Sequence, residues 1–306
     1  GDWSSDVCSS DLLLRDRGVW QGRVGGAAVA GQIRLVEGQT RPLGTVYLDL
    51  EHLNIPAKKP QPDQTATDPR RLPSVRVNAK SFRYEDKPLG ALDFLATHTA
   101  AGWRIAQLQL VRPEMRLSLN AQWSYANEQS STALQLEFHT SDMGETLTAL
   151  GQSEQMKDGI FDINAKLEWD GSPIGPKVST IKGNLTLKAE DGRFLRIKQG
   201  AGRFFGLLDF SALGKLFTLD FGALFGKGLP FKSLKGDISL EQGNAYTRNL
   251  QMTGVAQVSF NGRMGLAAKD FDLAVQVVPS LGTNIGLWAI LGPQVGLALL
   301  SLERSE

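Results

Sequence analysis

The chain has 306 residues, 42% hydrophobic, 21% charged and 8% aromatic, with 33 Gly, 13 Pro, one Cys and a formal net charge of +1. That apolar share can build a sizeable core, which excludes intrinsic disorder, and the near-neutral balance argues against a dedicated nucleic-acid binder. Glycine at about one residue in nine, above the usual share of about 7%, points to a turn-rich β protein rather than a coiled coil or helical bundle.

The ends come first in chain order. Asp2 to Leu12 reads DWSSDVCSSDL, the translation of a common sequencing adapter, and Arg304-Ser305-Glu306 translates the reverse complement of that adapter's terminus. Residues 1–12 and 304–306 are therefore expected to be non-native and are set aside. Cys8 goes with them, leaving no disulfide framework and no thiolate metal site. Removing Asp2, Asp6, Asp11, Glu306 and Arg304 from 32 acidic and 33 basic residues leaves 28 and 32, a net of +4. The native stretch is then cut at both ends, and the lack of a signal peptide or anchor within it carries no information.

Residues 13–57 form a β segment in which Val46, Leu48 and Leu50 alternate with Tyr47, Asp49 and Glu51. Residues 58–71 (KKPQPDQTATDPRR), rich in proline and without a large apolar side chain, are expected to be a solvated loop or linker. Residues 72–199 return to period-two alternation, at Met115 to Tyr125, Leu134 to Phe138, Phe161 to Trp169 and Ile181 to Leu187. A short helix over 142–150 interrupts them, with Asp142 as N-cap, Glu145 three residues on and Gly151 at the close. Asp170-Gly171, Asp191-Gly192, Gln242-Gly243-Asn244 and Asn261-Gly262 read as turns, so the simplest arrangement is an antiparallel meander.

Residues 200–231 carry seven of the 14 phenylalanines between glycines and a few lysines, and Phe217, Phe221 and Phe225 would share one helical face. Residues 232–281 resume the strand pattern at Leu234 to Leu240 and Phe271 to Val277. Residues 282–303 include an apolar stretch, Ile285 to Leu300, about 24 Å long as a helix and broken by Gly292-Pro293. That is too short for a membrane span, and a pair of short apolar helices is expected. The fold class is accordingly mainly β, an extended antiparallel sheet with a few short helices toward the C-terminal end.

Chemistry is hard to find. His52, His98 and His139 are isolated in strand-like contexts, without the three or four convergent ligands a metal needs. No nucleophile elbow or Walker loop is present, and Gly200 to Gly206 misplaces the third glycine of a dinucleotide fingerprint. Asp270 and Asp272 alternate outward on a strand and read as solvation of an exposed face. No catalytic residue, metal or cofactor is assigned, and the chain is not expected to be an enzyme. What remains is an excess of one-sided apolar strands, which fits either a sandwich covered by a second sheet or an apolar concavity occupied by lipid.

From about Ile160 onward, further stretches carry a resemblance: LEWDGSP (Leu167 to Pro173), IKGNLTLKAEDGRF (Ile181 to Phe194), GAGRFFGLLDFSAL (Gly200 to Leu213), TLDFGALFGKGLPF (Thr218 to Phe231), LKGDISLEQGNAYTRNLQMTG (Leu234 to Gly254) and DLAVQVVPSL (Asp272 to Leu281). In this order they resemble the C-terminal region of AsmA-like proteins of the large YhdP type, with Lys215 and Gly222 departing toward less usual residues. The resemblance implies a Gram-negative, periplasmic protein, anchored in the inner membrane through a segment missing here, with its C-terminal end near the outer membrane. It implies a long curled β-sheet, a groove that moves phospholipid between the two membranes in support of the outer-membrane permeability barrier.

On that view acyl chains lie against Ile163, Leu167, Leu185, Leu187, Ile238, Leu240, Leu273, Val275 and Val277. Phe204, Phe205, Phe217, Phe221, Phe225 and Trp288 close the groove or touch the membrane. The expected partners are phospholipid acyl chains, both membranes and unidentified membrane proteins, with no nucleic acid. The alternative is a structural or adhesive closed β module without a ligand.

Overall fold

The computed structural model of the chain describes residues 14–38, 44–56, 67–152, 155–195, 228–254, 256–268, 270–279 and 299–301. The expected adapter residues and the site candidates Phe204, Phe205, Phe217, Phe221, Phe225 and Trp288 lie outside them.

The strands are β1 (Leu14–Asp16), β2 (Val19–Val24), β3 (Val29–Val36), β4 (Thr45–Ile55), β5 (Ser74–Tyr84), β6 (Lys87–Thr99), β7 (Gly102–Val111), β8 (Met115–Ala126), β9 (Gln129–Thr140), β10 (Met156–Asp170), β11 (Lys182–Phe194), β12 (Leu229–Glu241), β13 (Asn244–Gly254), β14 (Ala256–Gly265), β15 (Asp270–Pro279) and β16 (Leu299–Ser301). All of these belong to one sheet, ordered as in the chain. The chain divides into two compact units, residues 1–138 with 168–176, and residues 139–167 with 177–306.

In the first unit, neighbours from β1 to β8 pair antiparallel except β4 and β5, which run parallel. The simple meander is corrected here, for a physical reason. A parallel pair cannot close through a tight turn, and residues 56–73 supply the long crossover it requires. The described part of that crossover is not wholly solvated: Asp68 caps a 3-10 turn over Pro69–Arg71, Pro69 is buried, and Trp103 donates its indole N–H to the Pro73 carbonyl at 2.8 Å.

Four hairpin turns carry two successive residues at positive φ: Arg17-Gly18, Glu85-Asp86, Asn127-Glu128 and Gln242-Gly243. Such turns match the right-handed twist of the strands they join. Of the expected glycine turns, Gln242-Gly243 connects β12 to β13, and Gly171 ends β10 with its N–H on Ser130 O at 2.8 Å. Asp191-Gly192 and Asn261-Gly262, by contrast, lie within β11 and β14. Gly192 leaves room for the Phe231 ring, whose nearest atom would stand 2.4 Å from an added Cβ. Gly262 takes φ +141° opposite Leu273, where a Cβ would stand 2.2 Å from the Asp272 carbonyl.

In the second unit β11 to β16 pair antiparallel. Helix α1 (Met143–Ala149) begins where Asp142 Oδ1 accepts the Glu145 N–H at 2.9 Å. It ends at Gly151, φ +77°, with Gln152 N–H on Leu147 O and Gly151 N–H on Thr148 O, the paired bonds of a Schellman close. Of the two stretches expected to be helical, residues 200–227, 282–298 and 302–303 lie outside the described residues, and what is described of them is strand. Leu229–Phe231 opens β12, held because Phe231 is buried against Phe194 (5.1 Å between ring centroids) and edge-on to Phe161 (6.2 Å). Leu299–Ser301 forms β16 by pairing with Ala274 to Gln276.

Gly262→Val should cost the second unit about 2 to 4 kcal/mol through the blocked Cβ and strained φ. Gly25→Ala, where an added methyl meets nothing within 4 Å, should leave stability near wild type. Urea unfolding checks this, and equal midpoints for G262V and wild type would overturn it.

Candidate lipid-binding face

Alternation puts apolar residues on one face of each strand, and register then lines them up across strands. In the first unit, one line runs Gly31, Leu50, Ala79, Leu92, Leu110, Leu117, and a second runs Ile33, Leu48, Val77, Phe94, Leu108, Leu119. A third runs Leu35, Val46, Val75, Ala96, Ile105, Ala121. Each spans six strands, or about 24 Å at ~4.8 Å per step. Leu50, Val77, Ala79, Leu92, Leu110 and Met115 form one buried cluster, against which Val24 of β2 and Phe138 of β9 also pack.

The second unit repeats the construction. Ala189, Leu234, Met252, Val258 and Val277 make one line, and Leu185, Ile238, Thr247, Gly262 and Leu273 another. Between them lie Leu187 and Gly236, then Leu250, Phe260 and Val275. A bulge between Lys235 and Ile238 sets Gly236 so close to Leu250 that a Cβ would stand 2.6 Å from its Cα. Gly183 sits against Leu167 in the same way, at 2.9 Å.

These lines differ in cover. Ala189, Leu234, Met252, Val258, Leu250, Phe260 and Val275 are buried, Val275 to 2% exposure. Leu185, Ile238, Leu240, Leu273 and Val277 are half-buried. Of the nine residues expected to line a groove, Leu187 and Val275 are therefore packed floor. Ile163, Leu167, Leu185, Ile238, Leu240, Leu273 and Val277 keep partial access. Sequence alternation placed all nine on one face but could not tell floor from wall, since it holds no information on what lies above a residue.

The other face is polar and tied by hydrogen bonds. Asp237 accepts from Asn249 Nδ2 and Thr186 Oγ1, both at 2.8 Å, so one carboxylate joins β11, β12 and β13 beside the bulge. These bonds, the Asn249 amide first, hold its carboxyl below the ordinary value of 3.8. Asp270 is not merely solvated: Arg263 donates to both its oxygens at 3.0 and 3.1 Å, and these bonds push the guanidinium's already high pKa further up. His139 lies 2.7 Å from Asp162 on this exposed face, and His52 meets the Gly26 carbonyl at 2.9 Å. Among the described residues no three of His, Cys, Asp and Glu converge to hold a metal ion, and no helix is long and apolar enough to cross a membrane.

Two outcomes follow. Val275→Asp should unfold the second unit, because it buries an unpaired carboxylate among packed side chains at a cost of several kcal/mol, whereas Leu185→Asp should keep a near-wild-type circular dichroism spectrum. Folded V275D would overturn the division into floor and wall. For Asp237, a native pKa below the unfolded value means its contribution is complete above about pH 4 and fades as pH falls through the lowered native value. The urea-midpoint gap between wild type and D237A should hold steady at neutral pH and close in acid, and a gap that widens in acid would contradict the assignment.

The family model described as YhdP protein matches residues 9–305. Searches of curated proteins and of solved structures returned no match. With a match over nearly the whole length and a single sheet of one-sided strands beneath it, the chain belongs to the YhdP family.

Proposed function

We infer that the chain is a section of a periplasm-spanning, bridge-type lipid-transfer protein that carries phospholipid acyl chains along its apolar β-face between inner and outer membrane. The observation that carries this reading is the set of apolar lines crossing successive strands, with half-buried side chains along them and no second sheet among the described strands. An acyl chain of about sixteen carbons carries on the order of 13 kcal/mol of transfer cost at ~0.8 kcal/mol per CH₂, so it does not cross water unshielded. A face that repeats every ~4.8 Å without directional bonds lets it slide from strand to strand. Family membership supports the same reading.

A closed module with a dry core is the competing reading, favoured by Leu50 at 1% exposure and Ala96 at 0%. The two part on ligand. Phospholipid should copurify with the wild-type chain and be detected by mass spectrometry after extraction, and L185D, still folded, should lose most of it. Folded wild-type protein free of lipid would favour the closed module.

A further inference from the structure

Four tryptophans fall among the described residues, and all four gather at one rim of the first unit. Trp20 begins β2, Trp103 begins β7, Trp123 lies near the end of β8 and Trp169 near the end of β10. Strand direction brings these ends together on the side where β5 starts and β6 finishes. Trp103 and Trp123 are register partners, and His98 pairs with Trp103 on the same inner line. Each indole N–H donates to a polar group at the rim: Glu37 Oε1 at 2.7 Å, Pro73 O at 2.8 Å, Ser130 Oγ at 2.6 Å and Ser172 O at 2.7 Å.

The rim is also where guanidinium groups meet aromatic rings. Arg15 lies over Trp20 at 5.2 Å and Arg70 over Tyr125 at 4.6 Å, with Glu37 and Asp68 as their carboxylate partners. His98 Nδ1 is buried here without a hydrogen-bond partner among the described residues. The opposite rim is built differently. It carries the half-exposed Ile55, Tyr84 and Val111 and the Arg112–Glu114 pair, and no described tryptophan.

An indole with its ring on an apolar face and its N–H on a polar edge suits the level at which hydrocarbon gives way to ester and headgroup. We propose that this tryptophan rim fixes the direction of bound lipid: the ester and phosphate end of a phospholipid lies along the Trp20, Trp103, Trp123 and Trp169 rim, and its acyl chains run away from it over the apolar lines. The proposal rests on the lipid-groove reading and adds an orientation to it.

The test uses the full chain carrying W3F and W288F, so that the four rim indoles are its only tryptophans. It is loaded from vesicles of phosphatidylglycerol brominated either beside the ester or at the methyl end of one acyl chain, then separated from the vesicles. Bound lipid is counted by phosphorus, and tryptophan fluorescence is read. Ester-end bromines should remove most of the emission and methyl-end bromines little. Equal or reversed quenching with lipid bound overturns the orientation and leaves the groove standing. Protein that carries no phosphorus after separation overturns the groove reading itself. Quenching seen only while vesicles are present makes the rim a membrane contact and overturns its role toward cargo. A purely structural rim would show no dependence on where the bromine sits.

Discussion

One constraint governs the molecule: each strand must shelter one apolar face, while all described strands sit in a single sheet. A sandwich meets that need with a second sheet. Here it is met within each unit by lines of side chains that interlock along the sheet. In the first unit this packing gathers Val24, Leu50, Leu110 and Phe138 into one cluster, although they come from β2, β4, β7 and β9. Cover is nearly complete along some lines and partial along others.

Glycine works with aromatic residues to keep the lines continuous. Gly192 yields its side-chain volume to Phe231, which in turn stacks on Phe194 and meets Phe161 edge-on. Gly183, Gly236 and Gly262 each admit a neighbouring backbone where a Cβ would collide. The glycine excess thus reflects close strand approach as much as turns. The polar face bears the reverse burden: Asp237 joins three strands through hydrogen bonds, and Arg263 grips Asp270 in a two-pronged pair.

The functional reading draws on two kinds of support that do not overlap. Family membership rests on the residues themselves over 9–305. The apolar lines rest on register, which no stretch of sequence displays. Where they meet, the proposed reading of the apolar face as a path for hydrocarbon and the proposed role of the tryptophan rim toward lipid both find their footing.

Much of this was legible from sequence. Period-two alternation depends only on neighbouring residues, so the strands at Met115 to Tyr125 and Phe161 to Trp169, the Asp142 cap and the Gln242-Gly243 turn could all be read directly. Turns at Glu85-Asp86 and Asn127-Glu128 escaped because they lack glycine, and Asn261-Gly262 misled because the same residue freedom serves a bulge or a close contact. Tertiary structure alone decided the parallel pairing of β4 with β5, the burial of Val275 while Leu185 stays half-buried, and the placing of tryptophans 20, 103, 123 and 169 along one rim. The reason is that local pattern determines which way a side chain points. Which residues stand beside it depends on strand direction and register, and these are set by contacts between segments far apart in the chain.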